Sequence, residues 1–364
     1  MRIFTFSDVH WFRNKPYLKD TFTWLAQEIR AQAPDVVVFC GDMNHAHGYV
    51  DIDVLDAMSQ AMREIEDAAG GCPIYMLAGN HDQASRDGSE NILTAFRRRN
   101  VQCIAGNPEI LWNGGGNASP WSAIGCAYPP RDSAEYLSVL SDKITEIRNT
   151  GNQGPIVLFT HWELNDIPYT PIAGKSSDHP VSIPNGVNLI VNGHYHHPVT
   201  YADRKPPVVI VGSPCYHNYS DMIVPEPRGY VIIGLENDGA WSTHRVANPY
   251  GPLYHTIESS GIPMVQGMTE ADRSRLQLRV KVATVEEYED SKATLLSLRE
   301  TVGNLRVTGT TPKVSQHTVL AEQVTPHWDH GNVLNDILST VDLCGYSREM
   351  LLEVGKRVLD EVSV

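Results

Sequence analysis

The 364-residue sequence has no CxxC pair, no repeat, no low-complexity tract and no apolar run long enough to span a bilayer. Its six cysteines (Cys40, Cys72, Cys103, Cys126, Cys215 and Cys344) are scattered, which argues against a disulfide scaffold or a paired-thiolate metal site. Four of them sit in or beside apolar, strand-like runs, the setting of reduced core thiols. The stretch Met1–Ser7 lacks the charged segment and long apolar core of a signal peptide, so a cytoplasmic protein is expected. Basic residues are also in short supply: 29 Lys and Arg face 43 Asp and Glu, a formal net charge of −14. Phosphate contacts draw their affinity from Lys and Arg, so tight polyanion binding by this chain alone is disfavoured. Bound cations or a basic partner would have to offset that field. With 41% hydrophobic and 20% charged residues, the composition is that of a globular protein with one large core and a smaller accessory unit.

What is present is an alternation of periods. Ile3–Phe6, Val36–Cys40, Ile74–Leu77, Ile156–Thr160 and Leu189–Asn192 are short apolar runs that predict buried strands. Between them, Leu18–Arg30, Val54–Ala68 and Tyr136–Ile147 repeat apolar residues every three or four positions, as amphipathic helices do. This pattern predicts an α/β architecture. Val208–Gly212, Tyr230–Leu235 and Trp241–Val246 follow without intervening helices, so a second, mixed sheet is expected. The main domain is placed at 1–247, and the Pro-, Gly- and Ser-rich residues 248–275 are expected to form a linker. Residues 276–325 are expected to form a small α+β unit, with strand Leu276–Val282, helix Val285–Arg299 and strand Leu305–Gly309. Two amphipathic helices are expected within 332–364. The long loop Glu163–Asn185, before a strand, is of a length that is often functional.

The chemistry lies at the strand ends. The predicted strands run directly into Asp8-Val9-His10, Gly41-Asp42, Gly79-Asn80-His81-Asp82, His161 and Gly193-His194-Tyr195-His196. Carboxyl ends of strands share one edge of an α/β sheet, where ligands collect. Asp8, His10, Asp42, Asn80, His161, His194 and His196 are therefore candidate metal ligands in one cleft. Carboxylate, imidazole and amide oxygen without thiolate suit Mn, Fe or Zn better than Mg or Ca. Seven such residues are too many for one ion with an open position and about right for two. Gly41, Gly79 and Gly193 would let the backbone turn sharply at each strand end.

This series resembles the calcineurin-like metallophosphoesterase superfamily over roughly residues 1–245. The resemblance implies a two-sheet sandwich flanked by helices, with Asp8, His10 and His196 on one divalent ion. It places Asn80, His161 and His194 on a second ion, has Asp42 bridge the two, and makes His81 the general acid, oriented by Asp82 or a nearby carboxylate. Gly79–Asp82, the string His161-Trp162-Glu163-Leu164-Asn165, Gly212-Ser213-Pro214 and Glu226–Tyr230 are similar to the DNA-repair nuclease branch. That branch includes SbcD-like exonuclease subunits and the T-even phage recombination nuclease subunit. The sequence departs from many relatives at Met43-Asn44-His45, which leaves the surroundings of Asp42 open.

The branch implies an exonuclease, with endonuclease activity also open, that uses two divalent ions, Mn2+ first among them, on double-stranded DNA ends. It further implies a homodimer, no membrane association, host cytoplasm if phage-encoded, and an SbcC-like coiled-coil ATPase gripped by the C-terminal helices. The unit at 276–325 would be its capping domain, with Arg279, Lys281, Arg306 and Lys313 as candidate DNA contacts beside Arg97-Arg98-Arg99. His45, His47 and His197 are read as lying near the ligands rather than among them. Two other readings compete: a phosphodiesterase or nucleotidase acting on a small nucleotide, and a non-enzymatic scaffold.

Overall fold

The computed structural model describes residues 1–309 except 14, 16, 86–87, 115–119, 130–132, 165–166, 168–182, 220 and 222–225. The first sheet contains β1 (Arg2–Phe6), β2 (Val36–Phe39), β3 (Ile74–Leu77) and β4 (Val101–Ile104) as parallel neighbours. The second contains β5 (Glu109–Trp112), β6 (Ser122–Cys126), β7 (Ile156–Thr160), β8 (Leu189–Asn192), β9 (Val199–Tyr201) and β10 (Val208–Ile210) in the order β5-β6-β7-β8-β10-β9. β11 (Gly229–Leu235) pairs antiparallel with β1, and β12 (Trp241–Ala247) extends it, so the first sheet reads β12-β11-β1-β2-β3-β4.

The strands read as unbroken apolar runs because both faces are covered. Ile3, Val38, Leu77, Val157, Phe159 and Val191 fill the layer between the sheets. The outer face of the first sheet buries Phe4, Phe6 and Phe39 with residues of α1 (Tyr17–Gln32) and α2 (Ile52–Ala69). The outer face of the second buries Ile124, Leu158 and Ile190 with Leu140, Ile144 and Ile147 of α3 (Ser133–Asn149). This is the two-sheet sandwich flanked by helices.

Two expectations change. The late strands do not form a sheet of their own: β11 and β12 complete the first sheet, and β10 completes the second. Residues 248–275 are not a linker either, because they hold β13 (Leu253–Glu258), α4 (Ile262–Gln266) and α5 (Glu270–Arg275). β13 pairs parallel with β14 (Leu276–Val282), which pairs parallel with β15 (Asn304–Gly309). Leu253, Ile257, Ile262, Val265 and Met268 pack with Leu278 and Val280 of β14 and with Leu295 and Leu298 of α6 (Val285–Arg299), so the accessory unit begins at Leu253. Pro263 does not break α4 because it stands in the first turn, where no intrahelical N–H is required.

Met1–Thr310 form one compact unit. Lys313 and the expected C-terminal helices lie outside the described residues. Among the described residues, Cys40, Cys72, Cys103, Cys126 and Cys215 are free thiols, and no helix is long and apolar enough to cross a membrane.

Candidate metal centre

Five strand ends, from β1, β2 and β3 of one sheet and β7 and β8 of the other, deliver the candidate ligands. They come from both sheets of the sandwich rather than from one open sheet. The first two loops are zipped together, with Asp8 N–H donating to Gly41 O (2.9 Å), His10 N–H to Asp42 O (3.0 Å) and Trp11 N–H to Met43 O (2.7 Å). Asp82 clamps the turn after β2: its carboxylate accepts from the N–H groups of Asp42 (2.8 Å), Met43 (2.9 Å), Asn44 (3.0 Å) and Gly79 (3.0 Å). Asp8, His10, Asp42 and His194 have φ of 54°, 48°, 61° and 70°, and Ala33 is the one other non-glycine in that region among the described residues. Such conformations cost about 1–3 kcal/mol each and persist where surrounding bonds impose them, typically at functional sites.

The side chains converge in two groups around Asp42. Its Oδ2 lies 3.4 Å from His10 Nε2 and 3.2 Å from His161 Nε2, while its Oδ1 accepts from the His81 N–H (2.9 Å). Asp42 Oδ2 therefore faces both groups. On one side, His196 Nε2 and His10 Nε2 are 3.0 Å apart, and ligand atoms of Asp8, His10 and His196 lie within 4.8 Å of one another. On the other, Asn80 Oδ1 is 3.2 Å from both His161 Nε2 and His194 Nδ1. Asp8 also groups with Asp42 and His161, so it faces both sides. His161 is oriented by its Nδ1, which donates to Cys40 O at 2.6 Å and turns Nε2 into the cluster.

The electrostatics suit cations. Asp8 is fully buried, and among the described residues its carboxylate oxygens have no well-formed hydrogen bond. Burial pushes its carboxyl up to about 7, opposed by His161 and reinforced by Asp42. Burial lowers His10 well below the ordinary imidazole value, and lowers His196 to about 4, so both are neutral ligands at pH 7. At His161 burial is outweighed by the charge and hydrogen bond of Asp42, which lift it to about 9. Two buried carboxylates thus call for positive charge, which divalent ions supply. The donor set of imidazole, carboxylate and amide oxygen accepts them.

His81 sits at the rim, its ring 4.6 Å from that of His10 and 3.8 Å from that of His47. Its Nδ1 hydrogen-bonds the His45 carbonyl, so that carbonyl orients it. Asp82, expected in that role, is instead committed to four backbone N–H groups. His45 comes close enough to group with His10 and His81, while His197 packs beside Tyr195. Arg98 of the Arg97–Arg99 run pairs with Glu66 at 3.6 Å.

Three residues near the centre escaped the sequence reading. His217 Nε2 donates to the Asp8 carbonyl at 2.9 Å, and its ring lies 4.9 Å from that of His196. Tyr128 follows β6, a strand not foreseen, and places its ring 5.8 Å from that of His194. Glu163 Oε1 stands 3.7 Å from His194 Nε2. For Tyr128 the available signal was an aromatic residue directly after the apolar run Ser122–Cys126. His217 has no comparable sequence signal.

A helix-flanked two-sheet sandwich that gathers histidines and carboxylates at its strand ends defines a metal-dependent phosphoesterase. The sequence model of the calcineurin-like phosphoesterase family matches residues 1–198, and the chain belongs to that family. Three solved structures are similar to parts of this chain at low identity. A dimetal phosphatase from Danio rerio has 11% identity and a TM-score of 0.41, covering 64% of this chain and 92% of its own. GAP50, the anchor in the inner membrane complex of Plasmodium, has 13% identity and a TM-score of 0.40, covering 69% and 85%. A protein assigned as a 5′-nucleotidase from Staphylococcus aureus, in complex with α-ketoglutarate, has 13% identity and a TM-score of 0.38, covering 68% and 53%. No curated protein matches the chain significantly.

Proposed function

We propose that the chain is the nuclease subunit of a DNA recombination and repair complex, cleaving phosphodiester bonds at double-stranded ends together with an SbcC-like ATPase. The carrying observation is the accessory sheet. Leu276, Leu278, Val280 and Val282 of β14 are buried, which leaves Gln277, Arg279 and Lys281 on the opposite, polar face. Arg279 is in register with Arg306, forming a basic pair across two strands. The Arg279 guanidinium lies 3.9 Å over the ring of Tyr219, whose ring is 5.0 Å from that of Tyr254. Tyr254 OH donates to the carbonyl of His217 (2.8 Å), and His217 holds Asp8. Lys281 on that face lies 3.9 Å from Glu258, so it is the Arg279–Arg306 pair that is tied to the metal-ligand loop, an arrangement suited to a substrate that extends beyond one nucleotide.

Two divalent ions, Mn2+ in this proposal, would be held by Asp8, His10, Asp42, Asn80, His161, His194 and His196, and would supply charge at the phosphoryl oxygens and an acidified water. The chain's own residues do the rest. Asp42 and Asp8 fix the spacing of the two ligand groups, and His161 is locked by Cys40. His81, held at Nδ1 by the His45 carbonyl, presents Nε2 for the leaving sugar oxygen; it can give a proton there only in its imidazolium form, which burial disfavours, so Nε2 would first have to take up a proton from solvent.

The net charge of −14 favours a second reading, a phosphodiesterase acting on a small nucleotide. End-labelled duplex DNA and a dinucleotide analogue, each incubated with Mn2+ with and without the ATPase, separate the two. The nuclease reading expects Arg279→Ala with Arg306→Ala to impair DNA cleavage and spare the analogue. Cleavage of the analogue with none of DNA, even with the ATPase present, contradicts it.

A further inference from the structure

An imidazole ligand presents one ring nitrogen to an ion, and whatever holds the other nitrogen sets the tautomer, the ring angle and the basicity. His161 uses a neutral partner, the Cys40 carbonyl at 2.6 Å. His194 is turned the other way. Its Nδ1 faces Asn80 Oδ1 at 3.2 Å, and its Nε2 faces Glu163 Oε1 at 3.7 Å. Glu163 is carried by a segment anchored to the strand end that bears His194, because Leu164 N–H donates to Tyr195 OH at 2.9 Å. That bond links the residue after Glu163 to the side chain of the residue after His194, so the segment carrying Glu163 is fastened beside the His194 strand end.

We propose that Glu163 is a positioning residue of the metal centre, its carboxylate taking the Nε2–H of His194 and directing the Nδ1 lone pair at the ion shared with Asn80 and His161. The separation exceeds a hydrogen bond by about 0.5 Å, a gap that a small side-chain rotation closes. His194 belongs to the group of Asn80 and His161 and not to that of His10 and His196, so a charged acceptor on its Nε2 tunes one ion more than the other. The inference rests on the two-ion reading of the site and not on the identity of the substrate.

The test is a Mn2+ titration of chelator-stripped wild type, Glu163→Ala and Glu163→Gln by calorimetry, with thermal melting of each apo protein as the folding control. Wild type should take two ions. Glu163→Ala should weaken one binding step by about 10–100-fold and leave the other in place, with an unchanged apo melt. Glu163→Gln keeps an oxygen that can accept from Nε2–H, so it should recover part of that loss, and it serves as the variant of record if the alanine variant fails to fold. Saturating Mn2+ should restore hydrolysis of a small phosphodiester by either variant, which removal of a substrate contact would not allow. Two ions bound with wild-type affinity in Glu163→Ala, or equal weakening of both steps, overturns the proposal. Fewer than two ions in the wild type overturns the two-ion reading and this inference with it.

Discussion

Asp42 stands between the two ligand groups, with Oδ2 facing His10 and His161 at once and Oδ1 engaged by the His81 N–H. Asp42→Ala removes the acceptor common to both groups. It should abolish hydrolysis and sharply lower bound metal, while far-ultraviolet circular dichroism stays that of a folded chain. Two ions per chain by elemental analysis of this variant would refute the bridging role. His81 is placed differently, because its side chain is held by the His45 carbonyl. His81→Ala should retain both ions and lose about a hundredfold in rate, the usual scale for a general acid. A substrate whose leaving group needs no proton should be largely spared, and loss of metal would show that His81 is a ligand.

The strand ends do the positioning, and their tolerance is narrow where loops cross. A Cβ on Gly193 would meet the Cys40 carbonyl and Ser7 Oγ and come within 2.8 Å of His161 Nδ1, the atom that orients that imidazole. Gly193→Ala should therefore lower the melting temperature and weaken metal binding together. A variant with wild-type melting and metal content would show that the crossing is looser than this packing. The elements most legible in the sequence were those buried on both faces: Ile3–Phe6, Val36–Phe39, Ile74–Leu77, Ile156–Thr160 and Leu189–Asn192 are apolar apart from Thr5, Thr160 and Asn192, and polar ligands follow them. β5 and β9 are short, partly exposed strands with no such run, and β13 alternates weakly amid Pro, Gly and Ser. Sheet membership was not legible either. Local periodicity does not record that β7 and β8 lie in a different sheet from β1–β3, and only the packing layer between the sheets shows it. The same limit hid His217, which reaches Asp8 from 209 residues away in sequence.

At the scale of the whole molecule, the proposed function requires a chain at −14 to engage DNA. Buried ligand positions account for a few of its acidic groups, and bound divalent cations would offset the field locally. The basic pair Arg279 and Arg306 is small, which gives a basic ATPase partner a physical role in the proposed complex. The amphipathic segments Val333–Leu343 and Arg348–Val362, outside the described residues, are the proposed grip on that partner. Deleting 332–364 should leave metal content and cleavage of a small phosphodiester nearly intact, and should abolish co-purification with the ATPase and ATP-dependent processing of duplex DNA. Co-purification of the truncated chain would rule out the grip.

The central claim is that hydrolysis depends on two ions held among His10, Asp42, His161 and their neighbours. It is tested most directly by following the hydrolysis of a chromogenic phosphodiester as Mn2+ is added back to chelator-stripped protein. The stripped chain should show no turnover, and activity should rise and saturate at two equivalents of Mn2+ per chain. Turnover by the stripped chain, or none with two equivalents bound, would contradict it.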